Sequence, residues 1–245
     1  MTNSIEAINL SKSFGLKKAV KKINFKVSEN EIVGLLGPNG CGKTTTTAMI
    51  LGLLKPSSGQ VLINGLNIES HRIFLLHKMN FISPYIELPK KLSVKQNLIV
   101  YGKLYNVKNL DYKIENLANE LRLKDLLNKI TGELSSGQKN RVSLAKALIN
   151  DPKVLLLDEP TASLDPETGD FIRTFLETYK KEKKISILLA SHNMNEVKRL
   201  CASVLMMKDG EIIDQGNPDK LIKKHGRQNL EEVFLKLTRT KDEYK

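Results

Sequence analysis

The segment EIVGLLGPNGCGKTTTTAMILGLL, residues 31–54, constrains the fold more than any other part of the chain. After Glu31 it opens on a continuous apolar run of the kind that forms a strand buried on both faces. It closes on the helical TTAMILGLL. Between strand and helix stand Gly37, Gly42, Lys43 and Thr44, at the spacing of a phosphate-binding loop in the strand-to-helix context that such a loop requires. Glycines let the backbone wrap closely around phosphate, a lysine supplies a point charge, and a threonine hydroxyl can reach Mg²⁺. The whole turn, Gly37, Pro38, Asn39, Gly40, Cys41, Gly42, Lys43, Thr44 and Thr45, is therefore expected to hold a nucleotide.

A nucleotide with its metal also needs a carboxylate at the end of a neighbouring strand. VLLLDEP supplies two, Asp158 and Glu159, directly after four apolar residues. Asp158 is expected to hold Mg²⁺ together with Thr44. Glu159 is expected to be the base or polariser for an attacking water. A further anion-ready turn lies in LSSGQKNRVSLAKALIND, residues 134–151, where two serines and a glycine feed into an amphipathic helix.

Around these motifs the sequence reads as α/β. KKINFKV alternates apolar and polar residues as a half-buried strand, QVLING runs a strand into an Asn-Gly turn, and MMKDGEII is a hairpin around Asp209 and Gly210. KVLLLDEP and ISILLASH return as buried strands with a helix of about a dozen residues between them, the rhythm of a parallel sheet. From about residue 86 to 133 the spacing is helical, and DKLIKKHG and LEEVFLKL read as helices near the end. There is no internal repeat.

The expected fold is a phosphate-loop NTPase core with a mainly parallel sheet, an N-terminal antiparallel β-subdomain and an inserted α-helical subdomain. Its expected division is one nucleotide-binding domain over residues 1–240, with the inserted helical region at about 86–150 and a charged tail at 241–245.

Lys plus Arg exceed Asp plus Glu by 39 to 27, a net charge of +12 that suits an anionic partner without choosing between nucleotide, nucleic acid and acidic lipid. The lysines at 17–18, 90–91 and 180–184 read as solvated faces. The two cysteines, Cys41 and Cys201, have neither disulfide-framework nor zinc spacing, which fits a reducing compartment. The N-terminus lacks the pattern of a signal peptide, and no apolar run reaches the length of a spanning helix.

Taken together and in order, GPNGCGKTT, LSSGQ, LLLDEPTASLD and ASHNMNEV resemble the ATP-binding subunits of ATP-binding cassette (ABC) transporters, over about residues 4–238. The resemblance implies further roles. Phe14, in LSKSFG, matches the aromatic that stacks on adenine. Ser163, Leu164 and Asp165 match the loop linking the two sites of a dimer, and His192 matches the histidine that senses γ-phosphate. Ser135, Ser136, Gly137 and Gln138 match the signature that binds the γ-phosphate held by a second subunit.

The implied partners are thus a second ATP-binding subunit, expected to be a copy of this chain, and an integral membrane permease encoded separately. That places the chain in the cytoplasm, on the inner face of the membrane. LEEVFLKLT and LPKKLSVKQNLIVYGKLYNV resemble exporter-type (ABC-2-like) cassettes. The alternative is a soluble cassette ATPase acting on ribosomes or DNA. Such proteins usually carry two cassettes, a coiled-coil arm or zinc-binding cysteines, none visible here, so no nucleic acid partner is expected. A GTPase would need Asn-Lys-x-Asp, and the nearest approach, NKIT at 128–131, ends in Thr131.

Three positions depart from the commonest family pattern. Ser136 replaces a glycine, a change a helix start tolerates. Cys41, beside a helix start and Lys43, is expected to have a lowered thiol pKa and to be sensitive to alkylation. In NFISPYIELPKKLSVKQNL, Ser83 or Pro84 falls where a metal-contacting glutamine is usual, and Gln96 is too far downstream to replace it. Ser83 or a water is expected to serve instead.

Overall fold

The computed structural model describes residues 3–83, 86–162 and 164–239. In chain order the strands and α-helices are β1 (Asn3–Phe14), β2 (Lys17–Ser28), β3 (Ile32–Leu36), α1 (Lys43–Ile50), β4 (Ser58–Ile63), β5 (Leu66–Asn67), α2 (Arg72–Leu76), β6 (Met79–Ile82), α3 (Val94–Leu104) and α4 (Leu110–Glu120). They continue as α5 (Ser136–Leu148), β7 (Val154–Asp158), α6 (Pro166–Lys183), β8 (Ser186–Ser191), α7 (Met194–Leu200), β9 (Ser203–Lys208), β10 (Glu211–Gly216), α8 (Pro218–His225) and α9 (Leu230–Arg239). Two compact units result, one from residues 1–75 with 186–245 and the other from 76–185.

The first unit carries two sets of strands. One is an antiparallel sheet in the order β2-β1-β4-β5. Its β4–β5 turn is the expected Asn-Gly pair, with Asn64 at φ 47° and Gly65 at φ 78°. Positive φ at both residues matches the strand twist, which is why Asn and Gly stand there. The other set runs β10-β9-β3-β8, parallel from β9 through β3 to β8. Every residue of β3 and β8 is buried, as their continuous apolar runs require. The β9–β10 hairpin turns at Asp209 and Gly210, both at positive φ.

In the second unit β6 and β7 pair in parallel. α3, α4 and α5 occupy the stretch expected to be helical, with two short 3₁₀ turns between α4 and α5. α6 runs for 18 residues rather than about a dozen. Asp165 caps its start, Pro166 occupies the first turn, and Lys180, Lys181 and Lys183 fall in the last turn, where cations favour the helix dipole. That lysine run thus helps extend the helix as well as facing solvent.

Lys146 of α5 is the energetic exception in this unit. Its ammonium lies 5.1 Å from the ring centre of Phe81 and 5.2 Å from that of Tyr101, with the Asn80 Oδ1 and Phe81 carbonyl oxygens each at 3.4 Å. Burial pushes its pKa down to about 8. Among the described residues no helix is long and apolar enough to cross a membrane.

Because the folded chain gives up this proton before the unfolded chain does, the charge costs stability at low pH. The cost is relieved as pH rises from about 8 towards 10.5. The difference in urea unfolding free energy between Lys146→Met and wild type should therefore move by about 1–2 kcal/mol in favour of wild type between about pH 7 and about pH 9.5. A pH-independent difference would contradict this account.

Candidate nucleotide site

In the first unit the phosphate loop bridges the end of β3 and the start of α1. Lys43 opens the helix, is 6% exposed, and folds back over its own loop. Its Nζ donates to the carbonyls of Gly37 at 2.7 Å and Pro38 at 3.1 Å. The charge is thereby fixed inside the turn. Gly42, the N-cap, sits at φ 114°, and a Cβ there would lie 2.6 Å from the Ala19 carbonyl, so only glycine fits. Pro38, Asn39, Gly40 and Thr44 are exposed, whereas Gly37, Cys41 and Gly42 are buried and Thr45 is intermediate.

The start of α1 differs from those of α3, α5, α6, α7 and α8. Each of those five has an N-cap side chain accepting from its first turn. α1 has no side-chain cap and no acidic residue in its first turn. A helix start left without a cap, beside a buried ammonium, fits an anionic phosphate.

Phe14 ends β1 at a two-residue turn, opposite Lys17. It is 51% exposed and so is no core aromatic, and the Lys12 ammonium lies over its ring, 5.3 Å from the centre. His192, also exposed, follows β8. Its place is set by a bracket absent from the sequence reading. Buried Ser191 donates to Glu196 Oε2 at 2.8 Å and accepts from Asn193 N at 3.0 Å, while Asn193 caps α7.

In the second unit Asp158 ends β7 at 5% exposure. Glu159 follows in the left-handed region, at φ 51°. Both line a cavity of about 230 Å³ with Ser83, Ser136, Asn140 and Ser143 among its polar residues. Pro84 and Ser163 lie outside the described residues. Asp165 accepts from Thr168 N at 2.9 Å, and this bond holds its carboxyl below the usual range.

The turn at Ser135 forms a reciprocal capping box. Ser135 Oγ accepts from Gln138 N, and Gln138 Oε1 accepts from Ser135 N. Ser135 keeps its own O–H to donate elsewhere, while the Gln138 carbonyl oxygen is committed to the turn. Gly137 is a close-approach position, since a Cβ there would lie 3.2 Å from Thr168 Cγ2 of α6. Gln96, too distant to serve as the missing glutamine, makes the same box with Ser93 at the start of α3. The repeated Ser-x-x-Gln spacing was the signal that could have found both boxes. Asn140, which sequence reasoning passed over, donates from Nδ2 to the Pro160 carbonyl at 2.7 Å.

The sequence model of the family described as "ABC transporter" matches residues 20–162. The chain belongs to the ABC transporter family. Its expected α/β fold is that of the family's ATP-binding cassettes, and it is an ATP-binding and ATP-hydrolysing subunit. It is 35% identical over 221 residues to the ABC transporter ATP-binding protein NatA of Bacillus subtilis (strain 168), covering 89% of each chain. It is 37% identical to the Nod factor export ATP-binding protein I of Rhizobium johnstonii, over 89% of this chain and 71% of that one. The dimeric structure of MJ0796, a bacterial ABC transporter cassette, superposes with a TM-score of 0.80 at 25% identity, covering 87% of this chain and 98% of that one.

One expectation is overturned. The Cys41 thiol pKa is raised rather than lowered, because burial at 3% exposure outweighs the nearby Lys43 charge and the loop hydrogen bonds. Maleimide at about pH 7 should leave Cys41 unmodified in the native chain and label it after unfolding, read by intact mass. Rapid labelling of the native thiol would contradict this.

Proposed function

We propose that this subunit drives a separately encoded membrane permease, in the direction of export, by pairing with a second copy of itself around ATP. The observation that carries the pairing is the second helix start. Ser135 retains a hydroxyl donor on a turn already ordered by its own box. A phosphate-binding loop with Lys43 needs no second turn of this kind within one chain, whereas two copies arranged head to tail would use both. The dimeric MJ0796 cassette supports pairing, and the Nod factor export relative supports the direction. Residence on the inner face of the cell membrane follows from binding the permease.

In this reading Phe14 stacks on adenine, and the turn from Gly37 to Thr45 holds the phosphates, with Lys43 supplying charge. Ser135, Ser136 and Gly137 of the partner complete the γ-phosphate contacts, and Gln138 holds that turn in shape. Thr44 and Asp158 are the residues to hold Mg²⁺, which when bound neutralises phosphate charge. Glu159 orients and deprotonates the water. His192, held by the Ser191–Glu196 bracket, contacts the γ-phosphate. ATP binds the closed pair better than the open one and so shifts the population towards closure, and hydrolysis releases it. Ser83, lining the same cavity as Asp158 and Glu159, takes the place of the missing glutamine.

Glu159→Gln should elute as a dimer in size-exclusion chromatography with Mg·ATP and as a monomer without nucleotide, and adding Ser135→Arg should abolish the dimer. A Glu159→Gln chain that stays monomeric with ATP when copurified with its permease would refute pairing. Ser83→Ala should lower turnover several-fold with binding intact, and unchanged turnover would exclude Ser83 as the stand-in.

A further inference from the structure

Glu159 occupies a backbone region that costs a residue with a Cβ on the order of 1–2 kcal/mol, so its surroundings must hold it there. Two hydrogen bonds close the turn that follows. Ala162 N donates to the Glu159 carbonyl at 3.1 Å, and Asn140 Nδ2 donates to the Pro160 carbonyl at 2.7 Å. Pro160 has no N–H, so its carbonyl is the one backbone group by which that residue can be held. A carbonyl only accepts, which fixes the amide of Asn140 as the donor.

Asn140 lies in the second turn of α5, on the helix whose first turn is Ser136, Gly137 and Gln138. That same first turn packs against α6, where Gly137 meets Thr168, and Thr168 N is bonded by Asp165 at the end of the loop that Glu159 begins. α5 thus touches Pro160 through Asn140 and α6 through Gly137. The Asn140 bond therefore links α5 directly to the residue that follows Glu159, whose own carbonyl is held by Ala162 N. Ser136, Asn140, Asp158 and Glu159 also face one cavity.

We propose that Asn140 is a positioning residue that sets the Glu159 carboxylate according to where the signature helix start lies. Engagement of that start by nucleotide on a second subunit then reaches the water-activating group through one side chain. This rests on the reading of Glu159 given above.

The test uses the purified full chain with Mg·ATP. Asn140→Leu keeps the shape and removes the donor, and Asn140→Gln keeps a donor on a longer arm. Asn140→Leu should lower kcat about tenfold with the KM for ATP within about twofold, and Asn140→Gln should recover most of the loss. In a Glu159→Gln background, Asn140→Leu should lower residual hydrolysis no further, because the group it positions is already gone.

An unchanged kcat for Asn140→Leu, an additive fall in the Glu159→Gln background, or equal losses in the Leu and Gln variants would each overturn the proposal. If Asn140→Leu does not fold, Asn140→Asp, isosteric and without the donor, takes its place. If neither folds, Asn140 is a tertiary staple and the proposal fails. Wild-type hydrolysis by Glu159→Gln would instead defeat the reading of Glu159 itself, a result distinct from failure at Asn140 alone.

Discussion

A helix that begins without a side chain over its first N–H groups must meet something else there. α1 is such a helix, and the first unit is arranged around its start. β3 is buried along its full length, so its end is a fixed platform from which the loop leaves. Gly42 can be nothing larger, and Lys43 is drawn back over the turn by two carbonyls. The open helix start and the held ammonium make a site for negative charge before any ligand arrives.

The helix start at Ser135 solves the opposite problem. It satisfies its own first turn through Ser135 and Gln138, and the Ser135 hydroxyl still has its proton to donate. One turn is built to wrap an anion, the other to present a finished surface. At the second turn Gly137 is pressed against Thr168 and so serves packing.

Much of this was legible in the residues. Continuous apolar runs marked β3, β7 and β8, and Asn64–Gly65 and Asp209–Gly210 marked two hairpins, because each signal is local and its physics is complete within a few residues. The misses are of another kind. Cys41 looked activated because its neighbours in sequence are a lysine and a helix start, but its burial comes from distant segments, and burial decides the thiol. Glu196 and Asn140 carry no signal of their own in the sequence. Their partners are a serine before the helix and a carbonyl twenty residues away, and only the second of these is a long-range contact.

The two Ser-x-x-Gln boxes have a consequence for how the second unit forms. Each is made wholly from residues three apart, Ser93 with Gln96 and Ser135 with Gln138, so neither waits on a distant strand or the closure of a long loop. Contacts of such short sequence separation carry little loop-closure entropy and can be present early in folding. The ends of α3 and α5 can thus be fixed in register while β6 and β7, more than seventy residues apart in pairing, are still finding one another.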